Sequence, residues 1–247
     1  MNPKFLVVNA DDLGFSHDMN AAIEELHRAG RISNTSLMVD GDCLDEAMAI
    51  VARNPKLGIG LHLDLAAVIG FKQIPYEEMR VNLRQPEAQA AVVAEVTRQI
   101  TRYKELGLEF THLDGHRHFH ALPELFEVVI ETAVAHGLKT VRLTNSWLLP
   151  RTPSVFWDEG YLRRAEGLLA RHGVRYVDRF VYGCNEYGAG DFVPGWNELM
   201  VHVGYDDEFY SREYRLLASD AFARILKESA VELKTYRDLA QQSAARN

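Results

Sequence analysis

Short apolar segments alternate with longer amphipathic segments along most of the 247-residue chain. Apolar runs of about four to eight residues predict buried strands, and an apolar residue every three or four positions predicts a helix. A repeat of strand and helix without an antiparallel hairpin signal is typical of a parallel α/β sheet. The predicted strands are Lys4–Asn9, Ile32–Val39, Leu57–Leu63, Phe110–Gly115, Lys139–Thr144, Val174–Tyr182, Glu198–Val203 and Val231–Tyr236.

Seven or eight strand–helix units favour one TIM-like (β/α) barrel domain over residues 1–247, of regular or irregular form. An open, doubly wound sheet is the alternative. No GxGxxG follows the first strand, so a dinucleotide site gains no support, and Ala66–Pro86 is predicted as a loop. The predicted helices are Asp18–Ala29 (capped by Ser16 or Asp18), Leu44–Arg53 (capped by Asp42), Glu87–Leu106, Pro123 to about Gly137, Asp158–His172 and Arg212–Lys227.

The charge and the cysteines narrow the class of protein. The formal net charge is −8, from 35 acidic and 27 basic residues, which disfavours nucleic-acid binding through a general basic surface. Two cysteines without a CxxC motif, Cys43 and Cys184, indicate a reducing compartment, and we expect a cytoplasmic protein. The opening residues MNPKFLVVNADD are interpreted as a strand in place of a signal peptide, and no apolar run approaches the roughly 20 residues that span a bilayer.

Polar residues able to do chemistry gather where the predicted strands end. In a (β/α) barrel the loops after the strands build the active site, so residues from separate strands meet at that face. Each residue alone has a structural interpretation, such as a turn, a helix cap or a hydrogen-bonded core histidine, but their shared position favours a site. The residues are Asp11, Asp12, His62, Asp114, His116, His118, His120, Arg142, Asn145 and His202.

Three of these residues make a plausible set of metal ligands. Two imidazoles and one carboxylate, from Asp12, His62 and His116, leave coordination positions open for water and substrate. We therefore expect one divalent metal ion at this end of the barrel. The neighbouring Asp11 is then available as a general base. The segment HRHFH, residues 116–120, would present its three histidines on one face only if the chain stayed extended.

Longer motifs connect these residues to a known family. The segments are VNADDLGFS at 8–16, GLHLDL at 60–65 and THLDGHRHFHALPELF at 111–126, with shorter matches at NTSLMV, MVHVGY and TYRDL. Their order and spacing over nearly the whole chain resemble the YdjC-like (ChbG/HpnK) family of carbohydrate deacetylases. The resemblance implies a TIM-like barrel and the hydrolysis of N-acetyl groups from amino sugars or chito-oligosaccharide-like substrates, with release of acetate.

The resemblance also assigns roles to individual residues. It implies one divalent metal on Asp12, His62 and His116, with Asp11 as general base and His202 as the acid that protonates the leaving amine. Imidazole ligands suit Zn²⁺ by softness, while the resemblance keeps Mg²⁺ as a candidate. We expect a carboxylate near His202 to raise the pKa of its imidazole. A homodimer is a further implication of the resemblance.

Other residues at the strand ends are candidates for binding a small carbohydrate. We expect substrate contacts from Arg142, Asn145, His118 and Asp114. Aromatic side chains can stack on a sugar ring. The aromatic candidates are Trp147, Trp157, Tyr187 and Trp196.

Two other functions remain as alternatives. A metallohydrolase of another amide or of a phosphoester is the first, although Arg142 is the main basic residue at the strand ends, where a phosphoesterase would gain from several. A sugar-binding barrel without catalysis is the second. Such a protein would be expected to lose its base or a metal ligand, and here Asp11 and the three ligands are all present.

Overall fold

The computed structural model describes residues 2–144, 159–183 and 187–242, in which strands and helices alternate. The strands are β1 (Lys4–Leu13), β2 (Asn34–Leu37), β3 (Gly58–Leu63), β4 (His112–Gly115), β5 (Thr140–Val141), β6 (Arg179–Tyr182), β7 (Gly195–Val201) and β8 (Val231–Leu233). The helices are α1 (His17–Arg28), α2 (Leu44–Arg53), α3 (Tyr76–Asn82), α4 (Pro86–Glu105), α5 (Phe126–Ala135), α6 (Glu159–His172), α7 (Glu208–Ala218), α8 (Asp220–Ser229) and α9 (Tyr236–Gln241).

Seven strands form a curled parallel sheet in the order β5-β4-β3-β2-β1-β7-β6. β8 lies off this path and pairs with residues 4–6 of β1, whereas β2 pairs with β1 from Asn9 onward. β1 therefore pairs with three other strands, more than any other strand of the described sheet.

The strand order decides between the two predicted architectures. A doubly wound sheet reverses its strand order at a switch point. Here the order runs from β1 to β5 without reversal and continues on the other side of β1 through β7 to β6, which is the cyclic order of a barrel. The ring is incomplete in the described residues, because a single bridge between Thr140 and Arg175 joins the region of β5 to that of β6. The expected TIM-like barrel is therefore corrected to a curled half-barrel; β5 spans only two residues, too few for a continuous ladder.

Most predicted helices are present within a few residues of their expected ends. Ser16 caps α1, since its Oγ accepts the N–H of Met19 at 3.2 Å. The prediction that Asp42 caps α2 was wrong, because Cys43 occupies the cap position and makes no side-chain capping bond. The expected long helix at 212–227 is two helices, α7 and α8, divided at Ser219, whose Oγ accepts the N–H of Phe222.

The expected loop at 66–86 contains helix α3. Glu77 and Glu78 occupy its first turn, where carboxylates favour a helix, and Met79 and Leu83 are buried. None of the helices in the described part of the chain has the length and apolarity that crossing a bilayer requires.

The two faces of β3 show how the sheet is filled. Leu61 and Leu63 belong to the main apolar core. The alternate positions carry His62 and two glycines, so they face the concave side of the curled sheet. A Cβ on Gly60 would overlap Nδ1 of His112, whose buried ring stacks on that of Tyr236 with 3.6 Å between centroids. The glycines thus make room for polar residues on this side of the sheet.

Candidate metal centre and active site

Asp12, His62 and His116 meet at the carboxyl ends of β1, β3 and β4. Their candidate ligand atoms all lie within 4.8 Å of one another. Nε2 of His62 lies 3.0 Å and Nδ1 of His116 lies 2.9 Å from the same oxygen, Oδ1 of Asp12. Asp12 has a φ of +68°, in the left-handed region that aspartate tolerates better than most residues.

The surroundings of His62 fit a metal ligand. Its Nδ1 pairs with Oδ1 of Asp114 at 2.8 Å, the carboxylate contact that commonly orients a metal-binding histidine. Its Nε2 is buried and faces Oδ1 of Asp12 at 3.0 Å. Burial lowers the pKa of His62, but Asp114, Asp12 and Asp11 outweigh burial and hold it well above its usual value. The carboxylates around His62 and the mixed oxygen and nitrogen donors suit a divalent cation, which would take the place of the imidazole proton.

The pKa of Asp12 is shifted in the opposite direction. Burial raises it, but the neighbouring His62 and hydrogen bonds from His116 and His62 outweigh burial, so the pKa lies well below its usual value. Asp12 is therefore held as a carboxylate, the form that binds metal ions.

Asp11 pairs with the guanidinium of Arg142 and not with the histidines of the triad. Its two carboxylate oxygens accept one hydrogen bond each from Nη1 and Nη2 of Arg142, both at 2.7 Å, and Oδ1 also accepts a 2.7 Å bond from Nδ2 of Asn9. Arg142 also contacts Oε1 of Glu198 at 2.7 Å and Oδ2 of Asp114 at 2.9 Å. The buried guanidinium of Arg142 thus forms ion pairs with three carboxylates. Burial raises the pKa of Glu198 to about 7, despite its contact with Arg142.

Arg142 and Asp114 lie in the interior of the sheet and not at an open surface. Both are completely buried, behind Asp11 and His62 respectively. Side chains without exposed surface do not touch a substrate in this conformation. In this conformation Arg142 contacts Asp11 and Asp114 contacts His62, and their predicted contact with a substrate stays a prediction.

His202 follows β7 and reaches the site from a separate strand. Its Nε2 lies 4.0 Å from Oδ2 of Asp11 and 3.9 Å from Oδ2 of Asp12. Its backbone N–H donates to Oε2 of the buried Glu213 at 2.7 Å. The expectation of a raised pKa was wrong, since burial lowers the pKa of His202 and outweighs the attraction of Asp11 and Asp12.

The three histidines of residues 116–120 do not share one face. Arg117 and His118 have left-handed φ angles of 55° and 56°, which bend the chain immediately after β4. His120 lies 3.2 Å from the carbonyl oxygen of Arg142, and the ring of His118 lies beside that of Phe180. The side chain of His118 is half-buried. Asn145, the other predicted substrate contact, lies outside the described residues.

Two exposed aromatic side chains flank the polar centre. Phe15 is 48% exposed and its ring lies 6.4 Å from that of His116, while Phe209 is 38% exposed and lies 6.2 Å from that of His202. The ring of Tyr210 stacks beside His202 at 6.0 Å. We call Phe15, Phe209 and Tyr210 the aromatic rim.

Of the four aromatic residues predicted to stack on sugar, the structure describes Trp196 and Tyr187. Trp196 is buried and its indole N–H donates to Gln242, so it is a core residue. The ring of Tyr187 lies beside that of Phe222, and Trp147 and Trp157 lie outside the described residues.

Sequence reasoning missed the buried residues that hydrogen-bond to Asp114 and Arg142 behind the site. Oγ of Ser36 donates to Oδ2 of Asp114 at 2.6 Å, and Nδ2 of Asn9 donates to Ser36 at 2.8 Å. Glu198 accepts from Arg142 and from the hydroxyl of Tyr236. The available signal was a polar residue inside an apolar strand, as at Asn9 and Glu198.

Fold and site together define an α/β protein with a curled parallel sheet and a buried Asp-His-His triad suited to a divalent metal. The sequence model described as YdjC-like protein matches residues 5–228. The chain therefore belongs to the YdjC-like family, which confirms the resemblance found in its motifs.

Relatives and solved structures agree with this assignment. A carbohydrate deacetylase from Vibrio parahaemolyticus is 34% identical over 217 residues, which cover 82% of this chain and 79% of the relative. A chitooligosaccharide deacetylase from an Enterobacter species is 31% identical, covering 64% of this chain and 68% of the relative. A crystal structure from Enterococcus faecalis, of a protein named for cellobiose-phosphate cleavage, shares the fold with a TM-score of 0.74 at 21% identity, covering 97% of this chain and 100% of that one.

Proposed function

We propose that this protein is a metal-dependent carbohydrate deacetylase, which hydrolyses the N-acetyl group of an amino sugar or chito-oligosaccharide to acetate and a free amine. The observation that carries the proposal is the position of Asp11 and His202 beside the triad. Two groups able to transfer protons, from different strands, come within 4.0 Å of each other next to a set of metal ligands. The names of the relatives support the substrate class.

The metal belongs to the triad in this proposal. A divalent ion such as Mg²⁺ or Zn²⁺, held by Asp12, His62 and His116, would supply Lewis-acid chemistry, which polarises the acetamide carbonyl and acidifies water. Asp114 keeps His62 in the tautomer that presents Nε2 to the ion.

Asp11 takes the proton of the attacking water. Arg142 binds both of its oxygens and thereby fixes the plane of the carboxylate, while each oxygen keeps acceptor capacity for a further proton donor. A base held in one orientation loses little entropy when it acts, which favours proton transfer.

His202 donates a proton to the departing nitrogen. An amine leaves readily only when protonated, because its anion is a very strong base. His202 is 17% exposed at its side chain, so one edge of its ring is open to the substrate side. The aromatic rim then provides apolar ring faces for the C–H groups of a sugar.

The burial of Arg142 argues against the phosphoesterase alternative. A phosphate needs a cation that it can reach, and Arg142 is completely buried and already paired with three carboxylates. The main basic residue at the predicted strand ends is therefore not available to a phosphate.

The test is an acetate-release assay on metal-free protein that is reloaded separately with Mg²⁺, Mn²⁺, Co²⁺ or Zn²⁺. N-acetylglucosamine and its β-1,4-linked oligomers are the substrates, and the chelated protein and a metal-loaded Asp11→Asn variant are the controls. We expect acetate release only from the metal-loaded wild type. Absence of acetate from every sugar, with one ion bound at the triad, would contradict the proposal.

A further inference from the structure

Outside the proposed active site, three side chains with different donor atoms converge near the amino ends of α1 and α2. His17, Cys43 and Glu46 each offer one atom, and these atoms all lie within 4.8 Å of one another. Nδ1 of His17 lies 2.7 Å from Oε2 of Glu46. The side chain of His17 is 82% exposed and that of Glu46 is 38% exposed, so an ion can reach the cluster from solvent.

Neither a helix cap nor a disulfide accounts for the thiol. Cys43 occupies the cap position of α2 but makes no capping hydrogen bond with its side chain. Its sulfur is not in a disulfide within the described residues. The thiol therefore stands next to a histidine and a carboxylate, and within the described residues it makes neither a capping bond nor a disulfide.

The chemistry of the three donor side chains indicates which metal ions the cluster would bind. A thiolate, a carboxylate and a neutral imidazole carry two negative charges, which balance a divalent cation. Sulfur and nitrogen donors favour Zn²⁺ or Co²⁺ over the hard ions Mg²⁺ and Ca²⁺, and three protein ligands with one water complete a tetrahedral site. We propose that His17, Cys43 and Glu46 form a second site, which binds a soft divalent cation independently of the Asp12–His62–His116 triad.

The buried residue Asn20 orients this site. Its Nδ2 donates to Oε2 of Glu46 at 3.0 Å and to the carbonyl of Cys43 at 3.1 Å. Its Oδ1 accepts the N–H of Gly14 at 2.7 Å, and Gly14 in turn accepts the N–H of Cys43 at 2.9 Å. Hydrogen bonds of this kind hold ligands in place before the ion arrives.

Cobalt distinguishes the two sites, because a thiolate bound to Co²⁺ gives a charge-transfer band in the near ultraviolet and the triad contains no sulfur. Reduced, metal-free protein is titrated with Co²⁺ while the band and the bound metal are measured. We expect two Co²⁺ per chain at saturation and a band from one of them. Saturation at one ion per chain, or two ions without the band, overturns the proposal.

Variants assign the band to its ligands. Cys43→Ser should lose the band and one Co²⁺, whereas Cys184→Ser and His116→Ala should keep the band. His17→Ala and Glu46→Gln should weaken the Co²⁺ affinity of this site, measured from the appearance of the band. The expected loss is at least roughly 10- to 100-fold, the effect of removing a group that only supports a metal ligand. His172→Ala, which removes another exposed histidine at a helix end, is the matched control and should leave the affinity unchanged. A band that survives in Cys43→Ser, or that is indifferent to both His17→Ala and Glu46→Gln, also overturns the proposal.

Discussion

Arg142 donates two parallel hydrogen bonds of 2.7 Å to the carboxylate of Asp11, and both side chains are buried. Paired bonds of this type fix the orientation of a carboxylate as well as its position. In the proposed mechanism this contact sets where the base meets the attacking water, although Arg142 itself is out of reach of the substrate.

Asp11→Asn should therefore retain the metal and lose most of its turnover. An amide cannot accept the water proton, and general base catalysis is worth roughly 10²–10⁴-fold in rate. Bound metal is measured by elemental analysis, and kcat is measured on the best acetamide substrate. Full activity in the metal-loaded variant would remove Asp11 from the role of base.

His202→Ala should discriminate between leaving groups. It should slow the hydrolysis of sugar acetamides by roughly 10²–10⁴-fold, as expected for the loss of a general acid, but spare an activated aryl acetate, whose leaving group needs no proton. The comparison is between kcat/KM for the two substrates in wild type and variant. An equal fall for both would make His202 a group that positions the substrate or stabilises negative charge.

Phe15→Ala should weaken sugar binding and leave the chemistry largely intact. Phe15 exposes nearly half of its surface next to His116, and losing one aromatic contact of this kind costs about 1 kcal/mol, or a several-fold rise in KM. Phe209→Ala should act in the same direction, and Val93→Ala, another exposed apolar residue, is the control. An unchanged KM for oligosaccharides in both phenylalanine variants would exclude the aromatic rim from binding.

Glu213 should make the stability depend on pH between about 4.5 and 8. Burial raises the pKa of Glu213 to about 8, despite the hydrogen bond from the His202 N–H. A raised pKa in the folded state stabilises the protein fully below the unfolded value of about 4.5, and this contribution is lost as the pH rises through 8.

Glu213→Gln keeps an oxygen for the His202 N–H but cannot ionise. The free energy of unfolding of the wild type relative to this variant should fall between about pH 4.5 and pH 8. Over this range the carboxyl is ionised in the unfolded chain but still protonated in the folded protein. Urea denaturation at a series of pH values measures the difference. Parallel curves for the two proteins would show that the pKa of Glu213 is the same in the folded and the unfolded state.

Gly60→Ala should destabilise the fold. The added methyl would meet Nδ1 of His112, and the stacked ring of Tyr236 restricts the movement of His112. Overpacking of this kind costs about 1–3 kcal/mol. Gly190→Ala, where a Cβ meets nothing within 4 Å, is the control, and urea midpoints compare the two. Equal midpoints would mean that the interior at His112 adapts without cost.

Helices and strands could be predicted where their apolar pattern is contained in a short stretch of sequence. The apolar period along α1 and the alternation of leucine and glycine along β3 are visible in a short window of sequence. The convergence of Asp12, His62 and His116 also followed from the sequence, because the carboxyl ends of parallel strands meet at one edge whether or not the ring closes.

What could not be predicted depends on contacts between distant residues. The gap between β5 and β6 among the described residues depends on strand pairing around the whole sheet. The burial of Arg142 requires three carboxylates from three other strands, and no one of them marks it in the sequence. The turn at Arg117 and His118 also escaped prediction, because left-handed backbone at arginine or histidine has no reliable local signal.

The pairing of β1 has a consequence for how the chain reaches its native state during synthesis. β1 leaves the ribosome first among the strands, yet Lys4 pairs with Gly195 and with Val231, in the last quarter of the sequence. Loop closure over such a separation slows folding. Until both partner strands have been made, the unpaired backbone groups of this apolar strand are open to pairing with other chains.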